Sequence, residues 1–137
     1  MTDKKYEFTS KMPADIKRKW LKALRSGDFS QTKNALENKD GNCCLGVLCR
    51  VLEVPVTPAP EHDNSGRTYF AGAAGYLPPS ILEQIGLTDE DQHTLSYLND
   101  GNYSEANGKD KGKSFKTIAR IIERNIRVQR KGKNNAA

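Results

Sequence analysis

The three cysteines are the most reactive side chains of this sequence, and they lie together in the segment Cys43-Cys44-Leu45-Gly46-Val47-Leu48-Cys49. Thiolates can bind zinc or act as nucleophiles. Zinc sites usually take cysteines separated by two to four residues, whereas Cys43 and Cys44 are adjacent and four residues separate Cys44 from Cys49. On a helix, the side chains of Cys44 and Cys49 would diverge by about 140°. The apolar neighbours also lack the base and the polar setting that activate a catalytic thiol. The spacing therefore predicts buried structural cysteines rather than a metal site or a nucleophile.

The other groups capable of acid–base chemistry form no catalytic pattern. His62 and Asp63 are adjacent in a segment rich in turn residues, and an acidic run follows at 89–91. General acid–base catalysis needs two such groups held around one substrate, and no spacing in the sequence brings them together. The acidic run is better explained by the favourable interaction of negative charge with a helix N-terminus. We therefore expect a protein that is not an enzyme, with no catalytic residues, no metal and no cofactor.

Length and composition indicate one domain in a reducing compartment. A chain of 137 residues with 36% hydrophobic content can bury one core without disulfides. Three cysteines are an odd number, and they show no disulfide-framework spacing, which is typical of a reducing cell interior. The sequence shows neither a signal segment nor an apolar run near eighteen residues. We expect a cytoplasmic protein that does not associate with membranes.

The net charge of +5 is unevenly distributed along the chain. Residues 1–28 contain eight Lys or Arg and four acids, for a charge of +4, and residues 109–137 contain ten and two, for +8. The middle, residues 29–108, contains four Lys or Arg and eleven acids, for −7. Two interpretations stay open: the basic ends fold onto the acidic middle, or they form a basic surface for an anionic partner.

Apolar residues at helical spacing predict a mainly α fold. Residues 1–12 show no periodicity and are predicted to be a flexible arm. A first helix follows Pro13, with an apolar stripe that includes Ile16 and Trp20, and Gly27 ends it. Residues 43–53 are apolar on nearly all sides, which predicts a central buried helix; a buried strand is the alternative, but the length favours a helix.

Helix-start and helix-stop signals complete the predicted fold. Gly46 lowers the helix propensity of the central segment by about 1 kcal/mol, so close packing against another helix is expected there. Pro78 and Pro79 open a short helix that Gly86 ends. Thr88, with Asp91 three residues later, resembles a capping arrangement for a helix that stops at 99–101. The prediction is a single domain over residues 13–128, with four to five helices around the central one.

The segment 56–77 is rich in proline and glycine and is the least regular part of the sequence. Loops of this length in compact domains are usually functional, disordered or a disguised hairpin. Residues 68–70 and 75–77 could pair as two short strands across Gly72. Tyr69, Phe70 and Tyr76 are predicted to be exposed aromatic side chains of this loop.

The last predicted helix, residues 114–128, combines an apolar and a basic stripe. Ser114 is the expected N-cap. The apolar stripe consists of Phe115, Ile118, Ala119, Ile122 and Ile126. The basic stripe, which we predict to face outward, consists of Arg120, Arg124, Arg127 and Lys131. Residues 129–137 read as a basic polar tail.

Three phrases can be compared with known families. They are Trp20-x2-Ala23-Leu24-Arg25-Ser26-Gly27, the cysteine segment 43–49, and Leu98-Asn99-Asp100-Gly101 followed by Ser114-Phe115-x2-Ile118-Ala119. Together they resemble a group of small uncharacterised proteins of tailed bacteriophages and prophages, over most of residues 13–126. In that group a Leu-Asn-Asp-x-Gly phrase runs almost directly into Ser-Phe, whereas residues 102–113 intervene in this chain. The resemblance implies a viral accessory gene that is expressed in a bacterial cell, and it implies no site residue.

Two functions fit these observations. The first is binding to a host bacterial protein, as a takeover or counter-defence inhibitor or by sequestering a nucleotide signal. Arginine and aromatic residues often anchor such interfaces, so the expected site is Arg120, Arg124, Arg127 and Lys131 with Tyr69 and Phe70. The alternative is nucleic-acid binding through the basic C-terminal helix, in a helix-turn-helix-like arrangement.

Overall fold

The computed structural model describes residues 6–101 and 112–130, and within them the protein is mainly α-helical. The helices are α1 (Ala14–Ser26), α2 (Cys44–Val51), α3 (Pro79–Ile85), α4 (Asp89–Asp100) and α5 (Phe115–Asn125). Six strands of two residues each are β1 (Lys11–Met12), β2 (Glu37–Asn38), β3 (Gly41–Asn42), β4 (Val56–Thr57), β5 (Tyr69–Phe70) and β6 (Arg127–Val128). The predicted fold class, a small α domain with a short hairpin, is confirmed.

The central helix α2 packs against α1 and α4, and α5 contacts the same two helices. All residues from Cys44 to Cys49 are buried. Trp20 of α1 is fully buried, and its Nε1 donates a hydrogen bond to the Cys44 carbonyl at 2.9 Å. At the start of α2, the Oδ1 atom of Asn99 accepts from the Cys44 N–H at 3.2 Å. The prediction of a buried central helix is confirmed, in a form shorter than residues 43–53.

Gly46 is packed against backbone, although the sequence suggested another helix. A Cβ atom at Gly46 would lie 1.6 Å from the carbonyl oxygen of Leu36, in the segment before β2. Leu36 is itself fully buried. Only a residue without a side chain allows α2 to approach that segment so closely.

The residues predicted to begin and end helices cap those helices in the structure. Gly27 and Gly86 follow α1 and α3 in the left-handed conformation, with φ of 83° and 72°. The Thr88 side chain accepts a hydrogen bond from the Asp91 N–H at 3.1 Å at the start of α4. Ser114 caps α5 by accepting from the Thr117 N–H at 3.2 Å. Local sequence therefore determines these boundaries.

Helix α5 buries its predicted apolar face but ends earlier than predicted. Phe115, Ile118, Ile122 and Ile126 are buried, and Ile121 is buried as well. The helix ends at Asn125 rather than at residue 128, because the chain turns into β6. Arg127 is therefore a strand residue.

The prediction of a flexible arm is wrong for residues 6–12. β1 pairs in parallel with β6, with Lys11 opposite Arg127 and Met12 opposite Val128. Met12 is fully buried, and Ser10 is 1% exposed. The buried carboxylate of Asp91 accepts hydrogen bonds from the Thr9 and Ser10 N–H groups at 2.9 and 2.7 Å. These contacts fix the segment to the domain; residues 1–5 lie outside the described part, as do 131–137 of the predicted tail.

The hairpin in segment 56–77 pairs different residues from those predicted. β5 pairs antiparallel with β4, with Val56 opposite Phe70 and Thr57 opposite Tyr69. The predicted pairing of 68–70 with 75–77 across Gly72 is wrong; an isolated bridge joins Phe70 to Ala73 there instead. In the observed pairing of β5 with β4, Phe70 lies in the core and is fully buried.

Candidate functional site

The cysteines are buried free thiols in the core around α2. Burial raises the pKa of Cys43 to about 11 and that of Cys49 to about 12, and it raises the pKa of fully buried Cys44 well above its ordinary value. Because the thiolate is the reactive form, these side chains are poor nucleophiles at neutral pH. The sequence prediction of buried cysteines is confirmed. Within residues 6–101 and 112–130, no three His, Cys, Asp or Glu side chains are grouped to hold a metal ion.

The site of interest lies where the C-terminal end of α5 meets α1. The Lys17 ammonium donates hydrogen bonds to the carbonyl oxygens of Glu123 and Ile126, at 3.1 and 2.5 Å. These carbonyls belong to the end of α5, where the helix dipole favours a positive charge. Burial lowers the pKa of Lys17, and nearby Glu123 opposes that shift. Lys17 thus holds the two helices together and sets the position of the residues around it.

An open groove of about 720 Å³ lies on one side of this junction. Its walls are the N-terminal segment, through Tyr6 and Phe8, and the end of α5 and β6, through Arg124 and Arg127. The rings of Tyr6 and Phe8 lie 6.5 Å apart in a tilted arrangement. Arg124 and Arg127 are both exposed. The groove therefore combines aromatic surface with two guanidinium groups.

A second groove, of about 400 Å³, adjoins the first and shares Lys17, Glu123 and Val128 with it. On this side the cations come from the exposed surface of α1. We call the two grooves together the basic face; its exposed cations are Arg18, Lys22 and Arg25 of α1 with Arg124 and Arg127.

A salt bridge between Arg25 and Glu123 lies within the basic face. Arg25 Nη2 and Glu123 Oε1 are 2.7 Å apart, and this pairing lowers the pKa of Glu123. Both side chains are about half exposed, at 41% and 54%, so the pair adds little to stability. Its consequence for recognition is that a carboxylate stands among the cations.

Of the predicted site residues within the described part of the chain, Arg124 and Arg127 lie together in one groove. Arg124 and Arg127 line the first groove, while Arg120 is exposed on α5 but lines neither groove. The prediction that these three arginines face outward is confirmed. Lys131 lies outside the described residues.

The two predicted loop aromatics have other environments. Phe70 is fully buried, so its predicted exposure is wrong; the Arg50 guanidinium lies 5.2 Å from its ring centroid. Tyr69 is partly buried, and its hydroxyl is hydrogen-bonded to the Asp63 carboxylate. Hydrogen bonding by Ser65, followed by this bond from Tyr69, lowers the pKa of Asp63. Neither aromatic residue lines the basic face.

Sequence reasoning missed Tyr6, Phe8 and the α1 cations as members of one surface. The cations of α1 were visible in the sequence as the polar side of a helix, but nothing local placed them beside α5. Tyr6 and Phe8 alternate with Glu7, a strand-like spacing that indicates a packed segment rather than an arm. Their place in the groove depends on the pairing of β1 with β6.

Comparison with known proteins identifies a family. Among the described residues, no helix is long and apolar enough to span a membrane. No curated protein and no solved structure matches the chain. The family model for a domain of unknown function, DUF8296, matches residues 12–126, from β1 to the residue that follows α5. Since this match covers most of the 137 residues, the chain belongs to the DUF8296 family.

Proposed function

We propose that this protein is a small bacteriophage accessory protein that acts by binding a protein of the host bacterium, and not as an enzyme. The basic face is the binding surface. The observation that carries the proposal is its composition: guanidinium groups of α5 and β6 line the first groove together with the aromatic rings of Tyr6 and Phe8, and guanidinium groups of α1 line the adjoining groove. Arginine and aromatic side chains are enriched among the residues that dominate binding energy at protein interfaces.

Two features favour a protein partner over a nucleic acid. Glu123 lines both grooves, and Glu7 lines the first, so carboxylates stand where a phosphate backbone would have to pass. Apolar side chains also contribute: Val128 is 42% exposed and lines both grooves. A mixed surface of this kind matches the apolar centre and charged rim of a protein interface better than a uniform phosphate-binding stripe.

Nucleic-acid binding is the second candidate, supported by one observation on α5. Lys116, Arg120 and Arg124 are exposed and recur every fourth residue, so they form one basic line along the helix. The geometry departs from a helix-turn-helix, because residues 101–114 separate α4 from α5 where that motif has three or four residues. The same cations could also hold the phosphates of a nucleotide signal.

The viral context rests on the sequence resemblance, which implies expression inside a bacterial cell. The proposed site of action is therefore the host cytoplasm. A binding protein of this size would block or divert a host enzyme, including one of a defence system, by covering its surface. The basic face selects for partners with an acidic surface patch.

Affinity capture from phage-infected cells, with and without nuclease treatment, tests the class of partner. We expect a protein that remains bound after nuclease digestion. Its affinity should fall only weakly between 50 and 200 mM salt, whereas binding to duplex DNA through several phosphates would fall by orders of magnitude. Loss of all captured material on nuclease treatment would favour the nucleic-acid alternative instead.

A further inference from the structure

A cavity of about 250 Å³ lies on another part of the molecule, where α4 faces the segment before β2 and the end of the 56–77 loop. Polar groups of different chemistry converge on it: Asn34, Cys43, Arg67, Tyr76, Ser96 and Asp100. We call it the α4 cleft. At about 30 Å³ for each water molecule, its volume corresponds to roughly eight waters, which suits a ligand of amino-acid size.

The carboxylate of Asp100 is held in one orientation at this cleft. Its Oδ1 atom accepts hydrogen bonds from the Asn99 side-chain amide at 2.9 Å and from the Asn34 N–H at 3.3 Å. Asn34 adopts a left-handed conformation, with φ of 64°, to present that N–H. Within residues 6–101 and 112–130, Asp100 forms no salt bridge, and its Oδ2 atom accepts no hydrogen bond. An oriented carboxylate of this kind can accept hydrogen bonds from a cationic ligand.

An aromatic ring stands at the same cleft. Tyr76 is 43% exposed, and its ring is packed against His93 of α4, with centroids 4.4 Å apart. This contact fixes the plane of the ring while part of it stays open to solvent. The face of a tyrosine ring attracts cations, and a planar guanidinium can stack on it.

Arg67 supplies a positive charge at the cleft, opposite in sign to the charge of the Asp100 carboxylate. Its guanidinium lies 5.9 Å from the centroid of Tyr69 and its Nη2 atom lies 3.6 Å from Asp63 Oδ2. The Nε–H donates to Ser65, and the guanidinium has further N–H groups beyond these contacts. All residues that line the cleft belong to residues 29–108, which carry a net charge of −7, and an acidic segment of this kind favours a cation over a polyanion.

We propose that the α4 cleft binds a small ligand with a guanidinium at one end and a carboxylate at the other, of which L-arginine is the simplest. The guanidinium stacks on Tyr76 and donates to Asp100, and the carboxylate accepts from Arg67. This site is separate from the basic face, so its failure would leave the proposed protein-binding function unaffected.

Isothermal titration calorimetry of the purified protein with three related ligands tests this assignment. L-Citrulline has the shape of arginine without the positive charge, and agmatine has the guanidinium without the carboxylate. We expect arginine to bind with a submillimolar Kd, citrulline at least about tenfold more weakly, and agmatine several-fold more weakly than arginine. Absence of arginine binding at 10 mM, or equal binding of arginine and citrulline, would overturn the proposal.

Variants separate the two ends of the ligand. Asp100→Asn should abolish the preference for arginine over citrulline, and Arg67→Gln should abolish the preference for arginine over agmatine. Glu90→Gln is the matched control, because it removes one exposed charge from the same helix outside the cleft and should leave all three affinities unchanged. If Asp100→Asn does not fold, Tyr76→Leu at the exposed rim gives the same test through a loss of arginine affinity. Unchanged arginine binding in the variant used would contradict the site.

Discussion

Replacing Gly46 with alanine should destabilise the protein, although alanine is the better helix former. By propensity alone, this substitution within α2 should stabilise the helix by about 1 kcal/mol. The structure instead predicts a loss of stability, because a Cβ atom at position 46 would lie 1.6 Å from the Leu36 carbonyl oxygen and 2.6 Å from the Leu36 carbonyl carbon. Ordinary contacts begin near 3.4 Å, so the two backbones would have to separate by about 1.8 Å.

Two backbone hydrogen bonds resist that separation. The Leu36 carbonyl accepts from the Cys43 N–H at 3.1 Å, and the Leu36 N–H donates to the Ala74 carbonyl at 2.7 Å. Losing both costs about 2 kcal/mol, and overpacking adds about 1–3 kcal/mol. After subtracting about 1 kcal/mol for helix propensity, the expected loss in the free energy of unfolding is about 2–4 kcal/mol.

Urea unfolding followed by tryptophan fluorescence measures this loss. Trp20 is the single tryptophan and is fully buried against α2, so its emission reports on this packing. Gly75→Ala is the control, because nothing lies within 4 Å of a Cβ atom at that position. We expect Gly75→Ala to be neutral or slightly stabilising. A Gly46→Ala protein as stable as the wild type would refute the close approach of α2 to Leu36.

Three further predictions concern the core, the N-terminal segment and the thiols. Leu48→Ala should lower the free energy of unfolding by about 2–5 kcal/mol in urea unfolding, because Leu48 is fully buried; no loss would contradict its place in the core. Asp91→Ala should cost about 2–4 kcal/mol and speed hydrogen exchange at the Thr9 and Ser10 amides, whose acceptor it removes; unchanged exchange would contradict the docking of this segment. Because burial raises the pKa of Cys43 from 9.0 to about 11, the folded state keeps a proton that the unfolded chain loses between these pH values. Stability should therefore fall as the pH rises from about 9 to about 11, and Cys43→Ala should reduce this slope by up to about 1.4 kcal/mol per pH unit in unfolding experiments at several pH values; an unchanged slope would count against the raised pKa.

The helices could be predicted because their signals are local. Apolar stripes identify α1 and α5, and Gly27, Gly86, Thr88 and Ser114 mark the predicted ends. Each of these signals acts within a few residues of the element that it defines. The same locality explains the error at the end of α5, where pairing with β1 overrides the apolar spacing that continues to Ile126.

The strand pairings could not be predicted, because each involves only two residues. Lys11 and Arg127 pair across almost the whole chain, and no local signal connects them. The burial of Phe70 was partly predictable, since successive side chains of a strand point to opposite faces. Tyr69 and Phe70 could therefore not both face solvent if they formed a strand.

Like the strand pairings, the candidate site depends on tertiary contacts between segments that are distant in sequence. The sequence identified Arg124 and Arg127, but it grouped them with Arg120 and with loop aromatics that lie elsewhere. What assembles the basic face is the packing of α1 against α5, with Lys17 bound to the end of α5. A single buried lysine in a basic helix gives no sequence signal that distinguishes it from its exposed neighbours.

The most direct test of a protein-binding basic face is the affinity of the captured host protein for a charge-reversed variant. The test variant combines Lys22→Glu with Arg127→Glu, so that one charge is reversed in each groove. The control variant combines Lys19→Glu with Lys39→Glu, which makes the same change of charge at exposed positions that line neither groove. With the fold verified by thermal unfolding, we expect the first double variant to weaken binding at least about tenfold and the second to change it less than about twofold. Equal affinities for the two variants would contradict the assignment of the basic face as the binding surface.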